Sequence, residues 1–525
     1  MVKRVSVVAA LLISSVAFAD KMEPDDLPSA PLEVIKNAPK VEVPALPAFD
    51  LPVTEPGFRS PRELRVRGKA ALGAEVRVRG YITWIYDCSA QLASVNTEAT
   101  RAQVLMSIDT DPSLCEQPKF YLGDSKDSSR EASIWVVEVP RAPTKSERKR
   151  LHSDELKAWP AVPKIATGDY VAVTGTWALQ SPHHEHNLDG LLIFKSLAPA
   201  TRGPRAAATA PVVFTKEPEI GVVTKAPLRK EVDPEIRNAS VDHVNACNRA
   251  ITAKQYDTAC KECELATKLW PGNHLAWFAL GSAHMARSEW SLARAAVEHA
   301  VTLRPDQAMY QLYDGISLYE AEVQRAREDQ ARRANKKPEE ITLDSSALKL
   351  DAARDALVRA TKLAPTLWRG HYYLGRVYRD LDDPRRAAEQ LTQTIALHPT
   401  YRYGYIALIQ LYRRWDYLDQ ALVVANLGTV HVPTVDAGEL WFELGMAYDA
   451  KRADVQAIEA FGTAIAIRPD DLDAKLQRGQ IFARQGEIAA AKRDLEEVAR
   501  SPDPKLVGAK QVANQLLAQL AARKQ

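Results

Sequence analysis

From residue 236 onward one pattern of small and large apolar residues returns every 34 positions, and it leaves the chain little choice of fold. The clearest copy runs from 438 to 471. Trp441, Leu444, Gly445 and Tyr448 fall on one face of a first helix, Ala457, Phe461 and Ala464 on one face of a second, and Pro469 closes the unit. Small residues at the Gly and Ala positions let two antiparallel helices approach closely, while the large ones fill the gap to the next pair. A single pair cannot bury its apolar face alone, so the pairs must stack.

Other copies keep most of these positions. The stretch from His274 has Trp277, Leu280, Gly281, Ala293, Val297, Ala300 and Pro305, with His284 in the tyrosine place. That from Trp368 keeps Leu374, Gly375, Tyr378, Ala387, Leu391 and Pro399; that from Arg402 keeps Tyr405, Leu408, Tyr412, Ala421 and Pro433, with Ile409 in place of the glycine. A leading unit from Ser240 gives Ala259, Ala266 and Pro271, and a last one near Leu472 gives Gly479, Phe482, Ala491 and Leu495. The spacing resembles the tetratricopeptide repeat, W-x2-L-G-x2-Y…A-x3-F-x2-A…P. The resemblance implies seven units stacked as a right-handed superhelix with a concave groove, closed by a cap helix over 506–523. One unit departs: about 26 extra residues separate Gly315 from Ala353, which predicts that both of its helices are lengthened and protrude.

The N-terminal part reads differently. Lys3 and Arg4, an apolar run from Val5 to Phe18 and the small residues of Ala17-Phe18-Ala19 form a secretory signal over 1–19. No other segment is apolar for long enough to span a membrane. Residues 20–61 are proline-rich and read as a disordered spacer, and residues 199–235 as a linker to the array at 236–525. Between them, 62–198 alternates polar and apolar residues in candidate strands 75–86, 119–122, 132–139, 170–179 and 190–196, with short helices expected near 98–108 and 145–157. The segments 72–80 and 167–175 echo each other, each with a glycine before the strand and another inside it. This pattern is similar to an OB-fold barrel. The fold class is therefore multidomain, an OB-like β barrel followed by an all-α superhelical solenoid.

The full chain has 69 basic and 67 acidic residues. Loss of Lys3 and Arg4 with the signal leaves a balanced chain without the overall positive field that would draw nucleic acid. Export to the periplasm or the extracellular space would permit disulfides. Of the five cysteines, Cys88 can pair with Cys115, and Cys247 with Cys260 or Cys263, although all five could equally stay thiols. The Cys260-x-x-Cys263 spacing lies on a helix rather than at a strand-to-helix turn, which argues against redox catalysis. His183, His184 and His186, with Glu185 and Asp189, form a polar loop that could become a metal-dependent hydrolase site only if other ligands completed it.

No phosphate-binding glycine loop, nucleophile elbow or zinc-protease motif is present, so the sequence points to no enzyme, no cofactor and no metal. The resemblance places Arg369, Tyr372, Arg376 and Arg379 of the fourth repeat, and Tyr403, Gln410, Arg413 and Arg414 of the fifth, along the groove. There they would hold an envelope or extracellular protein partner through an acidic peptide segment. The competing reading makes the barrel the active part, binding polysaccharide or single-stranded nucleic acid with Trp84, Tyr86, Phe120, Tyr121 and Trp135.

Overall fold

The computed structural model describes residues 40–522 apart from 96–99, 184, 201–208, 213–217, 226–231, 339–340, 342, 344–346 and 504–505. The signal sequence and residues 20–39 of the expected spacer lie outside that set.

Five strands close a barrel: β2 (Glu75–Ile85), β3 (Phe120–Gly123), β4 (Ser133–Val137), β5 (Tyr170–Gln180) and β6 (His186–Pro199). The order around it is β2-β3-β4-β6-β5; all neighbours are antiparallel except β4 and β6. The two echoing sequence segments become β2 and β5, and they pair with each other from Glu75↔Thr176 to Tyr81↔Tyr170. At Gly175 the register with β6 shifts, and an added Cβ would lie 2.3 Å from the Ile193 carbonyl, so only glycine fits the bend. Alternation sends Val78, Ile82, Phe120, Leu122, Ile134, Val136, Val173 and Trp177 inward. Beside the barrel lie α2 (Cys88–Val95), α3 (Arg101–Thr110), α4 (Lys145–Arg150) and α5 (Ser153–Lys157). The Cys88–Cys115 disulfide ties the start of α2 to the segment entering β3.

The array begins with the pairs α6 (Pro234–Thr252) and α7 (Tyr256–Leu269), α8 (His274–Ala286) and α9 (Trp290–Leu303), and α10 (Ala308–Ala334) and α11 (Asp351–Leu363). It continues with α12 (Trp368–Asp380) and α13 (Pro384–Leu397), α14 (Arg402–Arg414) and α15 (Leu418–His431), α16 (Gly438–Ala450) and α17 (Asp454–Ile467), and α18 (Leu472–Gln485) and α19 (Ile488–Arg500). A final helix, α20 (Val507–Ala522), buries Val512, Ala513 and Leu520 against the last pair, and its other side meets α2.

In the unit with the insertion only the first helix is lengthened. Helix α10 has 27 residues, whereas α11 has 13. The outer part of α10 supports itself through Arg325 to Glu322 and Asp329 and through Arg332 to Asp329, all within one or two turns. It stops at Asn335, which caps the helix in the left-handed conformation, ahead of Pro338.

The expected spacer and linker are also partly structured. Strand β1 (Asp50–Pro52), from the proline-rich segment, pairs antiparallel with β7 (Thr209–Pro211), from the segment after the barrel. Val41, Val43, Leu51, Val212 and Ile220 pack on the core of the array, and Lys362 Nζ donates to the Ile220 carbonyl at 2.9 Å. Proline tolerates such short edge pairings, which ask for few backbone donors.

Phe49 anchors this ribbon. It is fully buried, with Tyr412, Trp415 and Tyr417 at ring-centroid distances of 6.2, 5.4 and 5.6 Å. Its backbone sits at φ 50°, a conformation that costs a residue bearing a Cβ about 1–3 kcal/mol, less than burial of the ring returns. Phe49→Ala is expected to lower stability by about 3–5 kcal/mol, read by denaturant unfolding, and to speed proteolysis within residues 40–60.

Candidate functional site

The face of the array that meets the barrel is organised by the turns between paired helices. Each such turn carries a left-handed residue, and the series Lys254, Ser288, Asp382, Asp416 and Arg452 shows how its identity varies. In the fourth and fifth units it is aspartate. Those two carboxylates meet the basic side chains of α1 (Pro61–Arg67) and the turn that follows it. Arg62 Nε lies 3.1 Å and Arg65 Nη2 2.5 Å from Asp416 Oδ2, and Lys69 Nζ lies 3.4 Å from Asp382 Oδ1. Arg65 is buried and also donates to the Arg414 carbonyl at 2.6 Å.

Helix α1 is short, started by Ser60, whose hydroxyl accepts from the Glu63 N–H. It serves two cores: Leu64 enters the barrel and Val66 enters the array. Tyr417 adds a polar tie to the ribbon, donating to Asp50 Oδ1 at 2.6 Å while accepting from the Asp50 N–H at 3.0 Å. Burial and the bond to Asp50 push its phenol up to about 12, so it stays a neutral donor near neutrality.

The eight groove residues divide into two sets. Arg369, Tyr372 and Arg376 are only 4–6% exposed. Arg369 lies 4.9 Å from the centre of the Trp368 ring, and Arg376 sits among Tyr319, Tyr372 and Tyr373 with Glu320 Oε1 3.6 Å from its Nη1. Arg379 Nε pairs with Asp380 Oδ1 at 3.0 Å, and Asp380 also accepts from the Tyr319 hydroxyl at 2.8 Å. Tyr403 accepts from Arg402 at 2.6 Å.

The second set lies toward the C-terminal end of α14 and meets carboxylates of this same chain. Gln410 and Arg413 both bond the buried Glu443 of α16, at 2.7 and 2.6 Å. The other end of the Arg413 guanidinium lies 3.3 Å from Glu131, and Arg414 lies 3.0 Å from Asp189, both carboxylates belonging to the barrel domain.

Sequence reasoning missed Phe49, Arg65, Asp382, Asp416 and Tyr417. The run Tyr412-x-x-Trp415-x-Tyr417 was the available signal, because three large aromatics there exceed what the repeat itself uses.

On the barrel, Phe120 belongs to the core, whereas Trp84, Tyr121 and Trp135 stack in a row on the outer face at 4.6 and 5.9 Å, with Tyr86 6.4 Å from Trp84. Tyr121 and Trp135 are nearly buried, leaving Trp84 as the exposed end of the row. In the histidine loop His183 Nδ1 lies 2.6 Å from Glu138, and Glu185 pairs with the buried Lys119 at 2.6 Å. Residue 184 is outside the described set. Of the two cysteine pairings weighed for Cys247, the bond is to Cys263, which joins α6 to α7.

A family model described as the tetratricopeptide repeat matches residues 249–308 and 456–506. The C-terminal array is built of tetratricopeptide repeats. Among solved structures it is similar to Pseudomonas aeruginosa pilF, at 15% identity over 48% of this chain and 99% of that one, TM-score 0.36. A tetratricopeptide repeat protein from Parabacteroides merdae gives 11% identity, 54% and 99% coverage and a TM-score of 0.37. YrrB, described as a repeat protein with an unusual peptide-binding site, gives 15%, 45% and 89%, and 0.26. No curated protein matches the sequence.

Asp124 adds a pH-sensitive element to the junction. Its carboxylate accepts from the Arg62 N–H at 2.9 Å, and burial pushes it up to about 6 in spite of the nearby Arg62 and Arg65, with Asp416 adding to the rise. An acid whose folded pKa lies above its unfolded value favours the fold when protonated. That contribution is present below about 4 and is lost as pH rises to about 6. Asp124→Asn, which keeps the acceptor, is expected to raise stability at pH 7 by about 1–3 kcal/mol. It should also flatten the pH dependence of unfolding between pH 4 and 6, which denaturation at a series of pH values measures.

Proposed function

We propose that the protein is an exported protein-interaction scaffold in which Arg413 and Arg414, at the end of α14 in the fifth repeat, recognise an acidic segment of a partner, in competition with the barrel's own carboxylates. The repeat architecture supports the general reading, since stacked helix pairs offer an extended surface to other proteins. The observation that carries the finer one is the pairing of Arg413 and Arg414 with Glu131 and Asp189. These arginines are already carboxylate-binding, and the carboxylates they hold are 46% and 49% exposed. The Arg414–Asp189 pair, exposed on both sides, contributes about 0–1 kcal/mol, little enough for a better-placed acidic segment to replace it. The two disulfides support export to an oxidising compartment, the periplasm in a Gram-negative cell.

A second reading is favoured by the row of rings ending at Trp84. A closed five-stranded barrel with order β2-β3-β4-β6-β5 supports an OB-like reading, and the outer face of β2 and β3 would then stack sugars or bases. Under it Trp84→Ala abolishes binding of oligosaccharide or single-stranded oligonucleotide, whereas under the first reading the substitution changes nothing about the partner.

The first reading is tested with a displayed library of Asp- and Glu-rich peptides selected against the full chain. The double variant E131Q/D189N is expected to bind the selected peptides several-fold tighter than wild type, and R414E several-fold weaker. Equal affinities for all three proteins, measured by titration, would discard the proposed site.

A further inference from the structure

Four cysteines are consumed by disulfides and the fifth, Cys260 on α7, is a buried thiol. Its Sγ lies 3.9 Å from Nδ1 of His284 on α8, and that same nitrogen lies 2.7 Å from Oε2 of Glu289, the residue that opens α9. One donor atom from each of the three falls within 4.8 Å of the other two. From this convergence we propose that Cys260, His284 and Glu289 form a binding site for a divalent transition-metal ion of the zinc type, clamping the first repeat to the second.

A hydrogen-bonded relay is the alternative the geometry argues against. A thiol activated by an imidazole that a carboxylate orients needs both ring nitrogens, one for each partner. Here Nδ1 faces both the sulfur and the carboxylate, so three donors point at one place instead of forming a line. For tetrahedral zinc, with bonds of about 2.3 Å to sulfur and 2.0 Å to nitrogen, sulfur and nitrogen stand about 3.5 Å apart. The 3.9 Å separation is close to that, and the Glu289 carboxylate need retreat by only about half an ångström to exchange its hydrogen bond for a metal bond.

The surroundings hold the ligands in place. Ser288 in the left-handed conformation makes the turn that brings Glu289 back over His284, with the Glu289 N–H donating to the His284 carbonyl at 3.0 Å. The Cys247–Cys263 bond, one helical turn from Cys260, fixes α7 against α6. Arg287 holds Glu289 Oε1 at 2.8 Å, leaving Oε2 for the ion, and also reaches Asp257 and the Cys260 sulfur. A guanidinium this close opposes a cation, but the charges still balance. A thiolate, Glu289 and Asp257 against Arg287 leave two negative charges, which a divalent ion neutralises. A water would complete the tetrahedron. Thiolate, imidazole and carboxylate together select a borderline-soft ion and reject calcium and magnesium.

The test uses the full-length protein with both disulfides formed, stripped by chelator and titrated with Co²⁺. One equivalent is expected to bind with a thiolate-to-cobalt charge-transfer band that Zn²⁺ then removes. Cys260→Ser should lose the band, and Glu289→Gln, which still offers His284 an acceptor, should weaken cobalt binding about tenfold or more. Should Cys260→Ser unfold, as circular dichroism would show, Glu289→Gln decides. No saturable uptake, a site without the charge-transfer band, a band that survives in folded Cys260→Ser, or unchanged affinity in Glu289→Gln would each overturn the proposal. The histidine loop of the barrel contains no thiol and cannot imitate the signal.

Discussion

A seven-residue helix with one apolar side chain in each of two cores joins the halves of this molecule. Leu64 completes the barrel, Val66 enters the array, and Arg65 between them is buried on Asp416. Burying a guanidinium is unfavourable unless it is paired, and here a carboxylate and a backbone carbonyl take its two terminal nitrogens while its Nε has no partner. Such a pair adds little net stability against an apolar replacement, but it tolerates few alternative placements of α1. The ribbon of β1 and β7, seated by Phe49, then fixes the same two bodies at a second place. The barrel and the array therefore behave as one structural unit, which a Pro-rich tether would not achieve.

Much of the fold within each half was legible in the sequence, for a physical reason. Repeat positions such as Gly445 against Phe461 are set by local packing inside a pair, where an added Cβ would lie 2.7 Å from the facing ring, so the requirement is written into each unit. The strands of the barrel were equally readable because β2 and β5 show their inward and outward faces in alternation. Segments whose structure depends on distant partners were not readable. Nothing local in Phe49-Asp50-Leu51-Pro52 calls for a strand, which exists because β7 and the aromatics of α14 and its turn lie beside it. The short α11 is a similar case, since the length of the insertion implied two longer helices but could not say which of them would take up the extra residues.

The candidate groove shows the same division. The resemblance to the repeat family pointed to the arginines, yet exposure along a groove depends on what the remainder of the chain places there. Arg369 and Arg376 became buried structural groups within the aromatic packing of the third and fourth units, whereas Arg413 and Arg414 remained at a boundary between domains. The aspartates at the turns of the fourth and fifth units were visible as letters. They gain meaning only once those turns are known to project toward a basic helix, and a substitution at any other unit's turn would not have created the same docking position.

Arg413 shows how one side chain can be both structural and exchangeable. Its Nη1 bonds Glu443, whose carboxylate is almost fully buried and shared with Gln410, so removing either partner would strand a charge inside the array. Its Nη2 meets Glu131, which is nearly half exposed and loses little by returning to water. The planar fork of arginine makes this possible, because its two ends can serve acceptors in different environments at once. A lysine in the same place would have to choose between the buried and the exposed carboxylate, and burial would decide for Glu443. The exchangeable half of the contact thus depends on the fixed half. Because that half holds the guanidinium in position without Glu131, any acidic segment arriving at this edge meets a donor pair whose orientation has already been settled by the fold.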